Sequence, residues 1–93
     1  MENLTYYARF GYYGEDGILV TFPDIYCAYT EGDTKEHAIE MAREVLLGSI
    51  KTLRMCNDPV NPPRTLDELK KAFGNDLEEF ERSFEFVPIT VKA

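Results

Sequence analysis

An α+β fold of the order β-β-β-α-(α)-β is predicted for this 93-residue chain by three observations. Apolar residues alternate with polar ones twice in the first 22 positions, which is the period of strands with one buried face. A long stretch after Thr34 instead repeats its apolar residues every three and four positions, as a helix does. Strand character then returns over residues 84 to 91. The expected architecture is an antiparallel three-stranded meander, a long helix, short helical turns and a final strand.

In the first strand Leu4, Tyr6, Ala8, Phe10 and Tyr12 face the core, and Thr5, Tyr7, Arg9, Gly11 and Tyr13 face away. Gly14-Glu15-Asp16-Gly17 has turn chemistry, so a hairpin follows. Ile18, Val20 and Phe22 resume the alternation until Pro23, which lacks an N–H and ends the pairing. Tyr26 to Thr30 is short and β-prone and is expected to be the third strand, broken by Gly32. Asp33 or Thr34 caps the helix, and Glu36 completes a capping box in the first case. The stripe Ala38, Ile39, Ala42, Val45, Leu46, Ser49, Ile50 and Leu53 carries that helix to about Cys56. Gly48 inside it costs about 1 kcal/mol relative to alanine and suggests close approach to the sheet or to a second copy.

Asn57 to Pro63 is an extended proline-rich connector. Thr65 with Glu68 has the spacing of a capping box, and Leu66, Leu69 and Phe73 mark a short helix that Gly74 ends. Leu77, Phe80 and Phe84 are expected to point inward from a further turn. Pro88 restricts the final strand to an edge. The whole chain is expected to be one domain, residues 1 to 93, with residues 65 to 83 as a helical insertion before the last strand.

Composition narrows the function. No apolar run is long enough to span a membrane, and no basic start with an apolar stretch suggests export. Cys27 and Cys56 lie far apart without a CxxC spacing or an adjacent histidine, so free thiols in a cytoplasmic protein are expected, with no cofactor and no metal. The net charge is −7, and residues 1 to 33 hold six acids against the single base Arg9. Such a surface repels phosphate backbones and steers basic proteins toward it, so a basic protein partner is expected rather than direct nucleic-acid contact. The same charge is also what ordinary solubility requires. Eight of the twelve aromatic residues fall in the first 29 positions, more than one strand face can bury; outward tyrosines are suited to a contact surface or to a half-covered sheet.

Catalytic constellations are weak. The one histidine, His37, stands in a charged first helical turn, and no serine or cysteine has it in evident reach. Asp16, Asp24 and Asp33 could in principle hold a metal for phosphodiester cleavage, yet each occupies a turn or cap where aspartate is favoured for backbone reasons. No phosphate-binding glycine loop precedes a helix. The chain is not expected to be an enzyme.

Phe22, Pro23, Asp24, Thr30, Gly32, Asp33 and Thr34 resemble the HicB antitoxin family, whose N-terminal domains carry F-P-D-L-P-G-x-x-T-x-G-D-T before a helix rich in Glu and Ala. Ile25 is a conservative variant, Ala38 matches the helix position, and Tyr7-Ala8, Asp16-Gly17 and the proline-rich connector are similar too. The likeness spans about residues 4 to 64. It departs at Tyr26-Cys27, where the family has Pro-Gly, and in a chain ending at Ala93, which leaves no room for the ribbon-helix-helix or helix-turn-helix domain of many members. Residues 65 to 83 carry six acids against three bases and are unsuited to replace it on DNA. The resemblance implies a partial ribonuclease-H-like domain without catalytic carboxylates, in a homo-oligomeric antitoxin. Its partner would be a small basic HicA-type ribonuclease whose active site it occludes. Tyr13, Glu15, Asp16, Asp24, Tyr26, Tyr29, Glu31 and Asp33 are the expected partner-binding residues. The alternatives are a stand-alone oligomerisation domain and a metal-dependent nuclease.

Overall fold

The structure, a computed structural model, describes residues 2 to 93. Strand β1 (Asn3–Tyr12) leads through a 3-10 turn at Gly14–Asp16 to β2 (Ile18–Thr21) and β3 (Tyr29–Gly32). Helix α1 (Lys35–Met55), helix α2 (Leu66–Phe73) and strand β4 (Ser83–Lys92) follow. All pairings are antiparallel, and the sheet order is β3-β2-β1-β4. The sheet therefore departs from the expected simple meander, because β4 pairs along all of β1 and makes β1 an interior strand. None of the helices among the described residues is long and apolar enough to cross a membrane.

The alternation in β1 and β2 has the expected phase. Tyr6, Ala8, Phe10, Ile18 and Val20 are buried on one face, joined from β4 by Val87, Ile89 and Val91. Tyr13 N–H donates to the Gly17 carbonyl at 3.0 Å, and Gly17 adopts φ +94°, a left-handed value that glycine takes without steric penalty. Helix α1 lays Ala38, Ala42, Leu46, Ile50 and Leu53 across this face. Burying each large apolar side chain contributes about 1.5–3 kcal/mol. Thr34 is the N-cap, its hydroxyl accepting from His37 N–H at 3.1 Å, so the second of the two capping readings holds.

The third strand begins three residues later than expected. Pro23 and Asp24 are the central residues of one turn, closed by Ile25 N–H to the Phe22 carbonyl at 3.1 Å. Tyr26 and Cys27 are the central residues of a second, closed by Ala28 N–H to the Ile25 carbonyl at 2.9 Å. The hydrophobic corners Phe22, Ile25 and Ala28 are buried while Tyr26 at the tip is 83% exposed. Local β propensity lost to burial of these corners. Neither Tyr26 nor Cys27 has positive φ, so the turn closes without a glycine. Gly32 does not break the strand but ends it in close packing: a Cβ there would lie 2.7 Å from Ala38 N and Cα, in the first turn of α1. Gly48 has no such role, since nothing approaches within 4 Å of where its Cβ would be.

The second face of the sheet is covered by the segment that runs from α2 to β4. Thr65 and Glu68 form the expected reciprocal capping box. Leu69 is fully buried yet lies outside the main core, and the Phe73 ring meets Phe86 edge-on at 6.0 Å. Leu77 and Phe80 do not point inward as expected; they are 51% and 84% exposed, and Phe80 has φ +66°. The inward position goes to Glu81 instead. Its carboxylate, fully shielded, takes both arms of the Arg9 guanidinium at 2.8 and 2.6 Å and the Glu78 N–H at 3.2 Å. Gly11 leaves the space for it, since a Cβ there would fall 2.1 Å from Glu81 Oε2. Burial opposes ionisation of Glu81, but the hydrogen bonds from Arg9 and Glu78 and the Arg9 charge hold its carboxyl below the usual range.

Two outcomes follow. Gly32→Ala should lower stability by about 1–3 kcal/mol in urea denaturation, because the strand and helix backbones must separate to admit the methyl group. The Glu81 interaction stabilises fully above the ordinary glutamate value of 4.5 and is lost as pH falls through the depressed folded value. Glu81→Gln should therefore lower the melting temperature at pH 7, where it leaves a buried guanidinium without its counter-charge, and flatten the fall in melting temperature between pH 5 and roughly pH 3.

Candidate functional site

The eight residues singled out from the sequence separate into four groups. Glu15 and Asp16 in the hairpin turn, Glu31 in β3 and Asp33 before α1 are exposed and gather at one end of the sheet. They take this position because Ile18 pairs with Gly32, which sets the β1-β2 turn beside the β3-α1 junction. Asp16, Glu31 and Asp33 line a depression of about 470 Å³ with His37 and Met41, one helical turn apart on α1. None of the four carboxylates has an ion-pair partner among the described residues. Asp33 N–H faces His37 Nδ1 at 3.3 Å, so that ring nitrogen is an acceptor there.

The tyrosines lie apart. Tyr29, 67% exposed, pairs with Thr21 at the opposite end of β3, about 10 Å from Gly32 at the usual rise per residue. It shares the outward face of the sheet with Glu31, two positions on, and with Leu19, which pairs with Glu31 and is 41% exposed. Tyr26 stands on the turn tip beyond Tyr29. Tyr13 turns toward the covered face, where burial and the nearby Glu81 carboxylate raise its hydroxyl above the ordinary tyrosine range. Leu19 was missed in the sequence, although its odd position in the Ile18-Leu19-Val20 alternation already assigns it to the outer face.

Asp24 is turned inward. Its carboxylate accepts Arg64 N–H at 2.8 Å and the Arg64 Nε at 2.6 Å, and its carbonyl accepts Asn61 Nδ2 at 3.3 Å. Asn61 in turn accepts the Tyr6 hydroxyl at its carbonyl, 2.5 Å away. Asp24 thus ties the proline-rich connector to the turn after β2, a duty that its turn position alone does not reveal. Asp16, Asp24 and Asp33 do not converge, and no group of three His, Cys, Asp or Glu side chains that could hold a metal occurs among the described residues.

A fifth polar cluster lies on the helix side of the sheet. The Tyr12 hydroxyl donates to Glu85, whose other oxygen accepts Lys35 Nζ at 3.2 Å. Burial, then the hydrogen bond to Glu85 and its charge, raise the Tyr12 hydroxyl well above the ordinary tyrosine range. The same bond and Lys35 lower the Glu85 carboxyl. This cluster fastens the start of β4 to β1 and to the first turn of α1.

No family model matches the chain. Antitoxin HicB 1 of Photorhabdus laumondii subsp. laumondii is 35% identical to it over 63 residues, which are 68% of this chain and 41% of that protein. The chain thus spans about two fifths of the length of the curated relative it matches. Among solved structures, a chain of a toxin-antitoxin complex from Streptococcus pneumoniae superimposes with a TM-score of 0.77 at 19% identity, covering 98% of this chain and 70% of that one. The crystal structure of the N-terminal domain of Burkholderia pseudomallei antitoxin HicB gives 0.71 at 22% identity, covering 97% of this chain and 100% of that one. A chain of the HicA3 and HicB3 toxin-antitoxin complex gives 0.61 at 20% identity, over 96% of both. At these identities the structural likeness is one of fold.

Asp24→Ala should cost about 1.5–3 kcal/mol, since a buried charge-assisted pair of hydrogen bonds to Arg64 is lost. Glu31→Ala, at an exposed carboxylate without an ion-pair partner, should stay within about 0.5 kcal/mol. Chemical denaturation of the two variants side by side checks the division between a structural and a free carboxylate.

Proposed function

The chain is HicB-like, a homologue of a HicB antitoxin with the fold of the HicB N-terminal domain, and from that premise we propose that it is the toxin-binding portion of an antitoxin. Its partner in this reading is a small basic HicA-type ribonuclease, which it inhibits by covering the catalytic and RNA-binding surface.

The observation that carries the reading is the gathering of Glu15, Asp16, Glu31 and Asp33 at one end of the sheet with no cation of their own chain paired to them. A ribonuclease presents cations where RNA phosphates would lie, and four free carboxylates on a rigid hairpin end and helix start are complementary to such a surface. Tyr29 and Leu19 extend the contact along the outer face of β2 and β3 with apolar area beside the charges. Tyr26 widens it at the turn tip. Asp24 and Tyr13 act in this reading by holding the turn and the covered face in shape, through Arg64 and Glu81. Inhibition requires no chemistry on this chain; the toxin is silenced because its substrate can no longer reach it.

Co-expression with the small basic protein encoded beside this chain's gene tests the proposal. The native chain should co-purify with it and restore growth. Charge reversal at Glu15, Asp16 and Glu31 to Lys should weaken binding by at least about 100-fold, with the association rate falling most, and leave the melting temperature nearly unchanged. Retained protection by that variant would overturn the electrostatic account.

A further inference from the structure

The two edges of the sheet differ, and the β4 edge carries a groove that the toxin reading leaves unused. Reciprocal bonds between Glu2 and Ala93 at 3.1 and 3.0 Å set the phase of the β1-β4 ladder. Residues 83, 85, 87, 89 and 91 consequently spend their backbone groups on β1, whereas those of Phe84, Phe86, Pro88, Thr90 and Lys92 point away from the sheet. Pro88 has no N–H to offer, so it blunts the middle of the edge. The half before it, Ser83 to Phe86, stays open and borders a cleft of about 720 Å³.

The opposite wall of the cleft is α2 and the chain after it. Leu66 and Lys70, one turn apart, look across to Phe84 and Phe86, and Leu77 and Arg82 close one end. The chemistry of this lining is distinct from the rest of the surface. In a chain with 17 acids and 10 bases, the cleft is lined by two bases and one acid, Glu85, whose oxygens are already engaged by Tyr12 and Lys35. An edge strand facing a helix across an apolar floor is the arrangement that accepts an extended peptide as an added strand. Main-chain hydrogen bonds from the strand supply affinity, and the side-chain lining supplies selectivity.

We propose that the groove between α2 and the first half of β4 binds an extended peptide in which apolar residues alternate with carboxylates, added as a fifth strand beside Phe84 and Phe86. The peptide's apolar side chains enter the cleft against Leu66 and Leu77, and its carboxylates meet Lys70 and Arg82. The site uses neither the acidic end of the sheet nor the toxin, so it stands or falls separately from the inhibitory reading.

A fluorescein-labelled, end-blocked heptapeptide of alternating glutamate and valine is the probe. Fluorescence anisotropy should show saturable binding with Kd on the order of 10–100 μM, weakening at least tenfold in Lys70→Glu with Arg82→Glu and with rising salt. N-methylation of alternate peptide amides, in whichever of the two registers faces β4, should abolish binding, and this arm needs no variant of the protein. In the complex the Phe84 and Phe86 amides should become protected from exchange and the Glu31 amide should not. Absence of binding at about 1 mM, equal binding of both methylated peptides, or protection mapped to β3 would overturn the proposal. So would concentration-dependent self-association that protects Phe84 without peptide, which would assign the groove to a second copy of the chain.

Discussion

The structure turns on one buried ion pair, Arg9 with Glu81, which bridges residues 72 positions apart in the chain. Taking a carboxylate out of water is expensive, and attraction to one cation does not by itself offset it. Here the carboxylate is surrounded: two guanidinium nitrogens, the Glu78 N–H and the Tyr13 side chain all stabilise the charged form. The Phe84 ring, 4.2 Å from the Arg9 guanidinium carbon, occupies the cation's remaining face. Gly11 supplies the opening through which the carboxylate reaches the sheet. The latch fastens the end of the segment that follows α2 onto the second face of the sheet.

That fastening decides which surfaces are available. With α1 on one face and the α2 segment on the other, the molecule's open backbone is confined to the edges β3 and β4. Their electrostatics are opposed. The β3 edge ends among unpaired carboxylates at the start of α1, whereas the β4 edge borders a cleft with Lys70 and Arg82. A four-stranded sheet held between helices can thus offer two partners of different charge separate, non-overlapping contacts. Rigid placement matters for the acidic end in particular, because four carboxylates that repel one another stay together only where the hairpin register and the Gly32 contact with Ala38 hold them.

Much of this was legible in the chain. Alternation through Tyr6, Ala8 and Phe10, the spacing Ala38-Ala42-Leu46-Ile50, and the reciprocal Thr65-Glu68 cap involve residues two to four positions apart, and these elements formed where the pattern put them. The motif around Phe22 to Thr34 also pointed to a HicB-like chain, in agreement with its relative. The misplaced features share a different cause. Tyr26 to Ala28 reads as strand by propensity but becomes a turn, because Ile25 and Ala28 are buried at its corners. Phe80 reads as inward by hydrophobicity but is displaced by Glu81, which belongs by composition to an acidic, solvated run.

What the sequence by itself determined is the set of elements, their buried faces, the caps and the acidic excess of the first third, since each arises from neighbours along the chain or from composition. Only the tertiary structure decided that Asp24 is a tether for Arg64, that Glu81 is the keystone of the second face, and that Gly32 serves packing. It alone also decided that β4 leaves a groove open beside α2. The physical reason is the same in each case: a carboxylate's environment is set by which distant cation or backbone N–H the fold brings within about 3 Å, and no local pattern encodes that partner.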